Sequence, residues 1–179
     1  DKTVSFKAAH DVARMKDPAV LRERAKVQLV PDDELEKLMP QRTAIADSVR
    51  QMAAALAAGG GAHGYRAFPP AMDSAPGFSW AYNGFLPFAS WDSLERWARA
   101  DPEPKVPGVF AWDSVRVEAL APGIATFAAG YSETRPDSAG RPQTEKGFFT
   151  AVAVRRASGW KFTNAHTSTL PPPPPARRR

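Results

Sequence analysis

The order of elements along the chain predicts an α+β fold, a long helix laid against an antiparallel sheet. Three observations carry this. An apolar stripe at helical spacing runs from Leu35 to Leu56, and four strand-like runs between Val109 and Leu170 are each bounded by turn residues. Nothing else in the sequence is long and amphipathic enough to cover the inner face of that sheet.

Residues 1–30 read as a basic, partly helical extension, in which Asp17-Pro18 places a capping residue before a proline at the first helical position. The main helix is expected after Pro31. Asp33 and Glu36 have the spacing of a capping box, and Leu35, Leu38, Ile45, Val49, Met52 and Leu56 form the stripe. Pro40 should kink or split this helix, and Gly59-Gly60-Gly61 should end it. Residues 62–77 are interrupted by Pro and Gly and give no clear pattern. Phe78, Trp80 and Tyr82 then share one parity and suggest a strand and turn through Gly84. Ser90 caps a short helix with Leu94, Trp97 and Ala98 inward.

The strands follow as Val109 to Leu120, Ile124 to Arg135, Thr144 to Arg156 and Trp160 to Leu170, joined as a meander. On the last of them, strict alternation would put Trp160, Phe162, Asn164, His166 and Ser168 on one face. Such a mixed face reads as the wall of a semi-polar cavity. Pro171 to Pro175 cannot join a ladder, so 171–179 reads as an extended proline/arginine-rich tail.

Composition bounds the function classes. A length of 179 residues, 43% hydrophobic residues and five Trp suit one globular domain with extensions, here 31–170. The net charge of +5 comes from the ends, since residues 1–30 contribute +3, Arg177-Arg178-Arg179 another +3, and residues 31–176 carry −1. That balance argues against nucleic acid as a partner, and the lack of an 18-residue apolar run argues against a membrane span. The absence of Cys excludes disulfides, thiolate catalysis and Cys-ligated zinc, while leaving periplasmic, secreted and cytoplasmic locations open. The chain opens on Asp1 rather than Met, which suggests a removed segment such as a signal peptide or an expression remnant.

The close of the chain, Trp160-Lys161-Phe162 followed by His166 and Ser168, together with Tyr82-Asn83-Gly84 leading into Ser90-Trp91-Asp92-Ser93-Leu94, resembles the nuclear transport factor 2-like superfamily. Its SnoaL-like and ketosteroid-isomerase-like branches are the nearest in pattern, over roughly Pro31 to Leu170. The resemblance implies a cone-shaped half-barrel, a strongly curved sheet wrapped around the long helix with a pocket at its open end. It also implies a homodimer through the outer sheet face. The enzymes' motifs carry over poorly, because the long helix has no Tyr and Asp47 lies off its apolar stripe.

Candidate site residues follow from strand parity and chemistry. His166 could act as general acid or base, or serve as a hydrogen-bonded structural His. Asn164 could orient it or meet a ligand. Trp80, Tyr82 and Tyr131 are candidate pocket walls, the two Tyr hydroxyls needing partners if buried. Glu145 and Asp113 are the candidate carboxylates, whose pKa a cavity would raise. His10 and His63 read as surface residues. No phosphate-loop, dinucleotide or metal-ligand spacing is present, so no cofactor is expected. These residues suggest a domain that binds a small apolar molecule. The alternative is an isomerase, cyclase or dehydratase acting on an apolar carbonyl substrate, and a third reading is a docking module using the proline-rich tail.

Overall fold

The computed structural model describes residues 32–137 and 139–171, with side chains from Met39 onward. The 1–30 extension, the tail beyond Pro171, and the side chains of the Asp33–Glu36 capping box and of Leu35 and Leu38 lie outside what is described. The chain divides into two compact units, Asp1–Met39 and Pro40–Arg179. Of the first, only the opening backbone of helix α1 is described. The second carries the sheet and the core.

Helix α1 spans Asp32–His63 and is continuous through Pro40, contrary to the expected split. Pro40 is exposed, so the carbonyl it leaves unpaired can be hydrated. The helix also runs through the three glycines that were expected to end it. They serve packing instead. Gly61 O accepts from Gly108 N at 2.9 Å, and a Cβ on Gly61 would come within 3.0 Å of Gly108 O. The stop is Gly64, at φ 62°, after which two 3-10 turns, Gly64–Ala67 and Pro69–Ala71, carry the chain around.

Strands β1 (Trp80–Tyr82) and β2 (Phe85–Phe88) form a hairpin whose Asn83 and Gly84 both have positive φ, as a two-residue turn of this kind requires. Helix α2 (Trp91–Ala100) is closed at its start by a reciprocal Ser90–Ser93 capping box. It buries Leu94 and Ala98 as expected, whereas Trp97 remains 40% exposed while its ring packs on Tyr65 and Phe88. The long strands are β3 (Val109–Ala121), β4 (Ile124–Pro136), β5 (Pro142–Arg156) and β6 (Gly159–Thr169). Sheet order is β2-β1-β6-β5-β4-β3, a meander from β3 to β6, with β1 added in parallel beside β6.

The sheet is mixed, six-stranded and unclosed, and bulges bend it, two of them in the middle of long strands. One sits in β3 at Ser114 (φ 52°), between the pairs Asp113–Gly130 and Arg116–Ala128. The other sits in β6 at Asn164 (φ 46°), between Thr163–Val152 and His166–Thr150. The concave face so made holds the core. Val49, Ala53 and Leu56 of α1 lie buried in one cluster with Phe127, Phe149 and Phe162. Each Val, Leu or Phe side chain so removed from water contributes about 1.5–3 kcal/mol. Trp112 Nε1 donates to Ala53 O at 2.7 Å and ties sheet to helix.

The segment after the 3-10 turns is fastened by Asp73, which is buried. Its backbone N donates to Phe162 O at 2.8 Å, and its carboxylate receives Arg156 Nε at 3.0 Å and Arg156 Nη2. The Arg156 hydrogen bonds hold the Asp73 carboxyl below its usual pKa, outweighing the opposing effect of burial. A lowered carboxyl pKa adds stability above the unfolded value and loses it as pH falls through the folded one. Asp73→Asn should therefore cost about 1–2 kcal/mol at pH 7, Arg156 being partly solvated. The gap to the parent should close as pH falls below the ordinary carboxyl range and through the lowered Asp73 pKa, a comparison that thermal melts across pH can make.

Candidate active-site hollow

Each long strand sends alternate side chains inward, but the bulges change which ones. On β4, Phe127, Ala129, Tyr131 and Glu133 are all buried without interruption of parity. On β3, Phe110 and Trp112 face in before Ser114, and Val115 and Val117 pack on the core after it. On β6, Trp160 and Phe162 are buried before Asn164, then Ala165 and Thr167 after it. This corrects the parity expected for β6. One inserted residue transfers His166 and Ser168 to the outer face, leaving Asn164 and His166 exposed. Asn164 Oδ1 accepts from Ser79 Oγ at 3.3 Å, and neither Asn164 nor His166 lines the hollow.

That hollow lies between the 3-10 turn, β1 and strands β3 to β6. It is lined by Tyr65, Phe68, Trp80, Tyr82, Phe110 and Trp112, with Tyr131, Glu133, Glu145, Phe149 and Thr167 completing the wall. Counted with its open mouth, the space is about 370 Å³. The enclosed part accommodates a few waters or a ligand head of similar bulk. Of the residues singled out from sequence, the fold brings together Trp80, Tyr82, Tyr131 and Glu145. Asp113 instead lies exposed beside the β3 bulge, and His63 is exposed and paired with Glu103 at 3.2 Å. His10 falls outside the described residues.

The polar end of the hollow is a compact group of two carboxylates and three phenols. Glu133 and Glu145 are directly opposed across β4 and β5 and so point the same way. Glu145 accepts from Tyr131 Oη at 2.7 Å and from Tyr82 Oη at 3.5 Å. Glu133, 7% exposed, forms an ion pair with Arg135, and the facing atoms have no other hydrogen-bond partner. Arg135 also places its guanidinium 4.0 Å from the centre of the Tyr65 ring.

Burial is the largest influence on most of these groups. It raises the Glu133 carboxyl, against the pull of Arg135 in the other direction. It pushes Tyr65 up to about 12, helped by Glu133, and it raises Tyr131 further, helped by the hydrogen bond to Glu145. Tyr82 is raised by burial and then by Glu145. All three phenols are therefore neutral donors at ordinary pH.

Sequence reading missed Tyr65, Glu133 and Thr167 as wall residues. Glu133 was legible, because it continues the period-two series of Phe127 and Tyr131. Tyr65 lies in a turn with no periodicity to betray it. Thr167, whose Oγ1 accepts from Trp80 Nε1 at 2.8 Å, was hidden by the bulge.

Tyr131 rests on a glycine. Gly147 is its cross-strand partner, and a Cβ there would fall 2.5 Å from the Tyr131 ring and 2.2 Å from Ser168 O. Gly147→Ala should displace both and cost about 2–3 kcal/mol. Urea unfolding measures that loss.

Neither a family profile nor a curated protein matches the sequence. Solved structures do resemble the fold. A proposed scytalone dehydratase from Novosphingobium aromaticivorans superposes with a TM-score of 0.63 at 9% identity, over 74% of this chain and 89% of that one. A nuclear transport factor 2-like superfamily protein from Salmonella enterica gives 0.60 at 10% identity, over 76% and 99%. The association domain of C. elegans CaMKII gives 0.59 at 14% identity, over 72% and 98%. With its long helix, unclosed curved sheet and hollow on the concave face, the chain has the nuclear transport factor 2-like α+β cone fold.

Proposed function

We propose that this protein binds a small, mostly apolar molecule in the aromatic hollow, with the molecule's polar end at the Glu133, Glu145 and tyrosine cluster. One observation carries the reading. Two carboxylates, of which Glu133 is buried, and three phenols converge on a space walled mostly by aromatic side chains, and burying Glu133 there costs folding free energy that a packed apolar core would avoid. Trp80, Tyr82, Tyr131 and Glu145 are the proposed contact residues, joined by Glu133 and Tyr65. His166 and Asn164 have no part in it.

A proton-transfer enzyme is the second reading, favoured by the raised pKa of Glu133 inside the hollow. A carboxyl group poised in this way can donate or remove a proton at a bound substrate, with neighbouring phenols as hydrogen-bond donors. The resemblance to a proposed scytalone dehydratase is compatible with it.

Trp80 and Trp112 line the hollow, so their fluorescence reports occupancy directly. Small aromatic and aliphatic compounds should quench it saturably. Tyr131→Phe, which frees Glu145 from its shortest hydrogen bond, should weaken binding about tenfold while the melting temperature stays within a few degrees. Mass analysis of the bound compound after incubation distinguishes the two readings, since an altered mass signals turnover. Purified protein that yields no extractable compound and responds to none added contradicts both.

We further infer that the outer sheet face pairs with a second copy of the chain. Phe148 is 45% and Ile124 43% exposed there, contiguous through the pairs Ile124–Val154, Thr126–Val152 and Gly130–Phe148. The likeness to an association domain supports self-assembly. Phe148→Glu should convert the dimer to monomer in size-exclusion chromatography with light scattering; a parent that elutes as a monomer removes the inference.

A further inference from the structure

The hollow has many acceptors, and most of its donors are already engaged. Tyr131 and Tyr82 donate to Glu145, Trp80 Nε1 to Thr167 Oγ1, and Trp112 Nε1 to Ala53 O. Tyr65 is the remaining phenol, and the Glu133 charge acts on it. A guest carbonyl or carboxylate therefore meets no free donor on Tyr82, Tyr131, Trp80 or Trp112. An anion would also face two carboxylates on neighbouring strands.

The charges are unequal in how they are balanced. Arg135 neutralises Glu133 from behind and is not part of the lining. Among the described residues Glu145 has no ion-pair partner, and phenol hydroxyls occupy its lone pairs without cancelling its charge. Around it, eight of the eleven lining residues are aromatic, so the space beside this carboxylate is bounded by ring surfaces. The fold already contains one cation held in this manner: Arg135 lies 4.0 Å from the Tyr65 ring centre while pairing with Glu133.

We propose that the ligand's polar end is a small organic cation, a bare or methylated ammonium group, held by the Glu145 carboxylate and by the aromatic faces of the hollow. This rests on the reading that the hollow is a ligand site. The void restricts the guest to a compact head, on the scale of a trimethylammonium group, with any longer chain leaving through the open end.

Isosteric probes separate the charge from the shape. Choline, 3,3-dimethylbutan-1-ol and 3,3-dimethylbutyrate share a branched head and differ in charge, being cationic, neutral and anionic. Tryptophan fluorescence and calorimetry should show choline binding at least tenfold tighter than the alcohol, the butyrate weakest, and choline affinity falling as salt rises. Glu145→Gln should bring choline down to the level of the alcohol while leaving the alcohol unchanged, with a thermal melt to establish folding. The comparison on the parent protein stands even if that variant does not fold. Equal affinity for choline and the alcohol, or preference for the butyrate, overturns the cation while leaving a ligand site in place. Failure of all three probes to bind overturns the ligand site together with the cation.

Discussion

Which side chains reach the interior depends on two inserted residues. In a regular strand the inward positions are set by parity from end to end, and one slip exchanges the faces. β4 and β5 keep parity throughout, giving an unbroken inner row from Ala125 to Glu133 and from Ala153 to Gly147. β3 and β6, which flank that pair, change parity in mid-strand, at Ser114 and at Asn164, and β3 slips again at its end between Ala119 and Ala121. The same irregularities bend the sheet. Without them the aromatic residues at one end of each strand and the small apolar residues at the other could not share a concave face. The hollow is a product of this bend, since a flat sheet would close directly on α1.

Placing two acids opposite one another on the inner face is unfavourable in isolation. The fold manages the two differently. Glu133 is taken deep, against Arg135, and burial still raises its pKa. Glu145 stays near water and collects phenol hydroxyls. Two like residues at adjoining positions are thus given unlike environments by one strand's depth, which is a usual route to divided chemical roles. Gly147 belongs to the same arrangement, because the absence of a side chain there allows the Tyr131 ring to lie across the β5 backbone and reach Glu145.

The fold was largely legible because its determinants are periodic. Helical spacing located α1, turn clusters located the four long strands to within a few residues, and the Ser90 cap located α2. Tyr131 and Trp80 were legible for the same reason. What parity alone could not supply was the place where parity breaks. Asn164 was the available signal, since Asn adopts positive φ more readily than most residues and is uncommon in mid-strand. Read as a regular strand position, it carried His166 to the wrong side. The triple glycine misled in a related way: glycine marks helix ends and also tight backbone crossings, and only the approach of Gly108 distinguishes the two.

β1 reaches its parallel position only beside β6, pairing Trp80 with Ala165, some eighty residues later in the chain. Ribosomal synthesis therefore delivers Trp80 and Tyr82 long before the strand that receives them. Helix α1 and the β3–β5 meander can gather from contacts closer in sequence, whereas the wall carrying these two rings waits for the final strand. The cavity is accordingly a late event in the chain's maturation. A nascent polypeptide stalled before Gly159 would hold much of the core and no enclosed site.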